Sequence, residues 1–135
     1  MSYKINEIEG IGPSFAEKLT MANITSTDHL LERCCDKAGR KRVAEETGIS
    51  ESMLLKWSNM ADLMRIKGVG KQFAELLEAA GVDTVKELRT RNAANLAAAM
   101  EDINNEKHLS KGAASVDVVS GWIEQAGSLD PKISH

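Results

Sequence analysis

Apolar residues recur along this chain at the spacing of amphipathic helices. In the segment that begins at Ser50, they follow intervals of i, i+1, i+4 and i+8, at Met53, Leu54, Trp57 and Ala61. This spacing predicts a helix whose apolar face is buried.

The chain also contains an internal repeat. A shift of 58 residues aligns INEIEGIGPSFAEKLTMANITSTDHL, from Ile5, with LMRIKGVGKQFAELLEAAGVDTVKEL, from Leu63. A shift of 65 residues aligns Trp57 with Trp122, so the second copy carries seven extra residues around EDINNEKHLSKG. We expect this insertion to lengthen a loop or a helix. The matched positions of the first shift are Ile8 and Ile66, Gly10 and Gly68, Ile11 and Val69, Gly12 and Gly70, Phe15 and Phe73, Ala16 and Ala74, Leu19 and Leu77, Ala22 and Ala80, and Leu30 and Leu88.

Each copy is predicted to contain a short helix, a glycine turn and three further helices, the last of which carries the tryptophan. Pro13 suits a first helical position, and Thr84 with Glu87 has the spacing of a capping box. The helices after the turn are expected to begin near Pro13 or Lys71, near Thr25 or Asp83–Thr84, and at Ser50 or Ser115. The predicted units are residues 1–62, residues 63–129 and a short frayed tail over 130–135.

Composition and charge narrow the classes of fold and function. An apolar fraction of 42%, only 4% aromatic residues and abundant alanine favour an all-α fold, with both repeats packed into one compact helical body. A net charge of −3 excludes a surface coated in basic residues, so any nucleic-acid site must be local. No stretch resembles a signal segment or a membrane helix, which predicts a cytoplasmic protein.

The glycine turns resemble those of the helix-hairpin-helix family, in which an apolar residue lies between two glycines and an alanine follows four residues later. In that family the turn holds a DNA phosphate through backbone amides and does not read bases. The pairing of these turns with the segment AEETGISESMLLKWSNMADLMRIKGVG resembles a bacterial domain family of unknown function built from such repeats. This resemblance covers nearly the whole chain and implies architecture more than activity. The two turns are Gly10, Ile11, Gly12 and Gly68, Val69, Gly70, followed by Ala16 and Ala74.

The two turns differ in charge. Glu9 corresponds to Lys67 and Pro13 to Lys71, and the net charge is −2 over residues 1–33 but +2 over residues 63–91. We therefore predict a non-enzymatic protein whose first hairpin is structural and whose second hairpin binds nucleic-acid backbone, DNA above all. Such binding would be weak and steeply dependent on salt. The predicted contacts are Lys67, Gly68, Val69, Gly70, Lys71, Arg89 and Arg91.

Two other nucleic-acid interpretations compete with this one. VAEETGISESMLLKW resembles a helix-turn-helix, and the basic run over residues 40–42 would contact the backbone. A glycosylase or lyase is disfavoured, because Gln72 stands where the lyase lysine would lie and the chain is too short to enclose a flipped base. No enzyme activity is expected. Against the helix-turn-helix interpretation, its second helix offers Glu51, Ser52 and Lys56, which include few base-reading or phosphate-binding side chains.

The alternative from a different class is a protein-interaction module or scaffold that binds no nucleic acid. Its docking surface would be the acidic first hairpin or the alanine-rich segment NAANLAAAMEDI, which is also expected to join the two repeats. No metal or cofactor is predicted, since Cys34, Cys35 and His29 lack a fourth ligand.

Overall fold

A computed structural model describes residues 2–112 and 114–135, and within these ranges the fold is all-helical, as predicted. The described residues also include an isolated antiparallel β-bridge between Lys4 and Ser26. A short 3-10 helix (Ile5–Glu7) precedes eight α-helices in the described ranges: α1 (Pro13–Met21), α2 (Thr27–Cys34), α3 (Lys37–Thr47), α4 (Glu51–Leu63), α5 (Lys71–Ala79), α6 (Val85–Leu88), α7 (Ala93–Lys107) and α8 (Val116–Ser128).

The helix starts follow the capping signals. Pro13 is the first residue of α1, and α2 begins two residues after the predicted Thr25 because Ser26 is its N-cap. At three further starts, the predicted hydroxyl accepts the amide N–H of the residue three positions later, which contributes about 1 kcal/mol per helix. These caps are Ser50 for α4, Thr84 for α6 and Ser115 for α8.

A helix and the loop after it differ in length between the two halves of the sequence. α7 has 15 residues whereas α3 has 11, and the two helices end at left-handed residues, His108 and Gly48. The cap of α4 lies two residues after Gly48, but the cap of α8 lies seven residues after His108. Both the helix and the loop that follows it are thus longer in the second half.

The helices pack mainly against neighbours in their own half of the sequence. α2 packs against α3 and α4, whereas α8 packs against α6 and α7, and the largest helix contact between the halves joins α4 to α5. The prediction that the alanine-rich helix joins the repeats is wrong, because α7 packs against α5 and α8. Leu96, Ala97 and Met100 form its buried face.

A buried ion pair fixes the start of α6 against α4. The Asp62 side chain is 1% exposed, and its Oδ1 lies 2.7 Å from Nη1 of Arg65. Its Oδ2 accepts the backbone N–H of Val85 at 2.9 Å. The corresponding amide in the first half, that of Thr27, donates to the carbonyl oxygen of Tyr3. In the second half, the side-chain carboxylate of Asp62 accepts the matching amide.

The segment 130–135 is held against the first half, so the prediction of a frayed tail is wrong. Arg40 is 3% exposed and donates to the carbonyl oxygens of Cys34, at 3.0 Å, and Ser134, at 2.7 Å. The backbone N–H of Ser134 donates to the carbonyl of Cys35 at 2.8 Å. Arg40 is thus a buried anchor of the tail and is not exposed for a backbone phosphate.

Candidate functional site

The two glycine turns have the same backbone geometry. Gly10 and Gly68 both have a φ of 96°, a conformation that strains any residue with a Cβ. The two turns also share two hydrogen bonds, one closing the turn and one opening the next helix. These run from Ile11 N to Ile8 O and from Val69 N to Ile66 O at 3.1 Å, and from Ala16 N to Gly12 O and from Ala74 N to Gly70 O at 2.9 Å.

A tryptophan lies against each turn. Each tryptophan packs on a phenylalanine of the following helix, with ring centroids 5.1 Å apart: Phe15 with Trp57, and Phe73 with Trp122. A Cβ on Gly10 would lie 3.2 Å from Nε1 of Trp57, and a Cβ on Gly68 would lie 3.3 Å from Nε1 of Trp122. The glycines therefore also leave space for the indole rings.

Four of the predicted nucleic-acid contacts come together at the start of α5. Lys67, Gly68 and Lys71 are exposed, and Gly70 is half-buried. Val69 is a correction to the prediction, since it is fully buried and its amide already donates to Ile66.

Backbone donors at this turn are mostly unpaired. The Lys67 amide donates to Oε1 of Gln125 at 3.0 Å. The amides of Gly68, Gly70 and Lys71 have no acceptor among the described residues, and the start of α5 has no side-chain cap. An oxyanion is the group that such a cluster of donors attracts.

The two predicted arginines lie elsewhere. Nη2 of Arg91 donates to the carbonyl of Gly81 at 2.9 Å and lies 3.0 Å from Oε1 of Glu87. Gly81 follows the carboxyl end of α5, and nine helical residues span about 13 Å, so Arg91 is at the opposite end of this helix from Lys71. Arg89 is exposed in the turn after α6, two residues before Arg91.

Acidic residues of the first turn adjoin the second one, which the sequence analysis missed. Oε2 of Glu9 lies 3.3 Å from Nζ of Lys71. Glu7 lines an open pocket of about 370 Å³ at the start of α5, together with Gly70, Lys71 and the first residues of that helix. Burial, and after it the charge of Glu9, raises the pKa of the Glu75 carboxyl. The opposite charges of the two turns were the available signal for this contact.

The cysteines and histidine of the first half do not converge on a metal site. Burial raises the pKa of the Cys34 thiol to about 11. Nδ1 of His29 lies 3.1 Å from Oγ1 of Thr25. Within residues 2–112 and 114–135, no three potential ligands form a group that could hold a metal ion.

The segment that resembles a helix-turn-helix has the corresponding tight turn. Gly48 ends α3 with a φ of 76° and α4 begins three residues later. The exposed residues of α4 are Glu51, Ser52 and Lys56, and Nζ of Lys56 is 3.9 Å from Oε1 of Glu78. This surface of α4 presents little positive charge. Gln72, at the position of the lyase lysine, is exposed on α5.

In the part of the chain that the structure describes, every helix is too short or too polar to cross a membrane.

Comparisons with known proteins identify a family but no activity. Neither a curated protein nor a solved structure matches the chain. A family model does match, over residues 9–129, and its description is domain of unknown function, DUF4332. Because this match covers most of the sequence, the chain belongs to the DUF4332 family.

Proposed function

We propose that this protein is a non-enzymatic pair of helix-hairpin-helix repeats, and that its second hairpin binds the phosphate backbone of nucleic acid weakly and without sequence preference. One observation carries the proposal. Unpaired backbone amides at the start of α5 lie between two exposed lysines, Lys67 and Lys71.

The repeat assignment is supported by matched elements as well as by the matched turns. α1 and α5 have nine residues each, and α4 and α8 have thirteen. Residues 1–62 and 63–129 are then two diverged copies of one unit, each with a hairpin turn that packs against the tryptophan of its last helix.

The second hairpin is better suited to a phosphate than the first. Pro13 takes the first position of α1 and has no N–H, whereas Lys71 at the matching position of α5 supplies both an amide and a charge. Glu9 stands where the second hairpin has Lys67, and a carboxylate there repels a phosphate. The positive end of the α5 dipole adds to the attraction.

The Glu9–Lys71 ion pair limits the affinity of the proposed site. Both side chains are about half exposed, and such a pair contributes only about 0 to 1 kcal/mol, so a phosphate can displace Glu9 from Lys71. We expect Glu9→Gln to strengthen binding, by up to about fivefold, because it removes this competitor.

Binding is measured by fluorescence anisotropy on single- and double-stranded DNA at about 50 and 200 mM salt. Two phosphate contacts predict a loss of about tenfold in affinity over this range. Lys67→Glu/Lys71→Glu should abolish binding. Lys37→Glu/Lys41→Glu on α3 is the matched control, because it makes the same change in net charge at exposed positions outside the proposed site.

The outcomes separate the interpretations. Equal losses in both double variants would mean that only overall charge matters, and loss in the α3 variant alone would favour the helix-turn-helix segment. No binding by the wild-type protein, even at low salt, would contradict nucleic-acid binding and favour a protein-interaction module. RNA of the same length is included, because contacts to phosphates alone do not distinguish the two nucleic acids.

A further inference from the structure

The indole of Trp122 has a hydrogen-bond donor that the fold does not use. Trp122 is 3% exposed, and its N–H has no acceptor among the described residues. A buried donor normally has a partner, since leaving it unpaired costs about 1 to 3 kcal/mol.

This N–H retains a narrow path to solvent. In the described part of the chain, the one unpaired side-chain polar atom that is sealed from solvent is Oδ1 of Asn59. Nε1 of Trp122 is therefore not sealed from solvent, although the residue as a whole is only 3% exposed. It lies 3.3 Å from the point where a Cβ of Gly68 would project, and Gly68 is exposed.

The position of Nε1 places it within reach of the unpaired amides of the second hairpin. Gly68 and Gly70 are two residues apart, so their Cα atoms are separated by at most about 7 Å. Phe73, the third residue of α5, packs against the Trp122 ring and fixes its orientation. A rigid ring presents its donor without the loss of side-chain entropy that an arginine or lysine would incur.

We propose that the Trp122 indole N–H is a fixed donor to a phosphate oxygen at the second hairpin, acting together with the amides of Gly68 and Gly70. This inference rests on the proposed function and adds a side chain to its site. It also gives Gly68 a second role, because any side chain there would cover the indole nitrogen.

Trp57 provides an internal control. Its Nε1 has the same relation to Gly10, at 3.2 Å, and its ring has the same relation to Phe15. The first hairpin, however, has Glu9 in place of a lysine and Pro13 in place of an amide donor. A phosphate should therefore contact the indole of Trp122 and not that of Trp57.

The test is a titration of the uniformly ¹⁵N-labelled full chain followed by ¹H–¹⁵N NMR. The chain has two tryptophans, so its two indole N–H signals are assigned with Trp57→Phe and Trp122→Phe. One titration uses a short single-stranded DNA, and another uses inorganic phosphate at constant ionic strength against chloride. We expect the Trp122 indole signal to shift with the same Kd as the amides of Gly68 and Gly70, while the Trp57 indole stays unchanged.

A variant measures how much the Trp122 indole N–H contributes to the affinity for DNA. Trp122→Phe keeps a ring beside Phe73 but removes the N–H, and it should weaken DNA binding about tenfold relative to Trp57→Phe. If this variant unfolds, the titration of the wild-type protein still tests whether the Trp122 indole contacts the ligand. Shifts of the hairpin amides without the Trp122 indole, or equal shifts of both indoles, would overturn this inference and leave the proposed function standing. Absence of any shift together with absence of anisotropy binding would overturn both.

Discussion

Asp62→Ala should be among the most destabilising single substitutions in this protein. Its carboxylate is buried and has two partners, the guanidinium of Arg65 at 2.7 Å and the amide of Val85 at 2.9 Å. Removing it leaves the Arg65 side chain, which is 12% exposed, with the carbonyl of Asp130 as its remaining acceptor. It also leaves the buried amide at the start of α6 unpaired.

The magnitude follows from these contacts. Breaking a buried ion pair by removing one partner costs about 3 to 5 kcal/mol, a large part of a typical stability of about 5 to 15 kcal/mol. Asp62→Asn keeps an oxygen that accepts the Val85 amide, but it places an NH2 group where the other oxygen accepts from Arg65, so the ion pair is lost. Because one of the two contacts remains, we expect a smaller cost of about 2 kcal/mol.

Urea unfolding measures both variants. With a slope of about 2 kcal/mol per M, Asp62→Ala should lower the midpoint by about 2 M, and Asp62→Asn by about half as much. Glu46→Ala is the control, because it breaks the exposed Arg33–Glu46 pair and should cost less than about 1 kcal/mol. If Asp62→Ala is no more destabilising than this control, the buried pair does not secure α6 and the reasoning fails.

Three further predictions concern the glycine turn and the two shifted pKa values. Gly68→Ala should lower stability by at least about 1 kcal/mol in urea unfolding, because of its φ of 96°, whereas Gly70→Ala, with a φ of −97° and open space around it, should cost less than half as much. Burial raises the pKa of the Cys34 thiol from 9.0 to about 11 on folding, so stability should be unaffected by this group below pH 9 and should fall as pH rises from there to about 11; Cys34→Ala should show a shallower fall. Glu9→Gln should lower the pKa of the Glu75 carboxyl in an NMR titration, and an unchanged pKa would exclude Glu9 as a cause.

The parts of the fold that the sequence predicted are those encoded over a few residues. A capping hydroxyl, a proline at a first helical position and a glycine with positive φ each act on neighbouring backbone, so Ser50, Pro13 and Gly68 could be interpreted without knowledge of the packing. The internal repeat added a second instance of each signal.

The parts that it did not predict depend on how helices pack. Lys71 and Glu9 are 62 residues apart in sequence, and only the packing of the two halves brings them within 3.3 Å. The predictions for the alanine-rich α7 and for the tail were wrong for the same reason. Small residues and a short polar segment can pack against many partners, so their sequence does not specify one. The burial of Arg40 could not be predicted from the basic run in which it lies, because this burial depends on a contact with Ser134, 94 positions away.

The acidic first glycine turn beside the basic second one also determines what kind of ligand the proposed site suits. Two lysines opposed by Glu9 give little net attraction for a single small anion, so inorganic phosphate should bind far more weakly than a polymer. Duplex DNA carries one charge for about every 1.7 Å of its axis, so a hairpin that releases one phosphate is already beside the next. The same geometry therefore predicts binding that grows with the length of the nucleic acid and does not depend on its sequence, which a fixed site for a free anion would not produce.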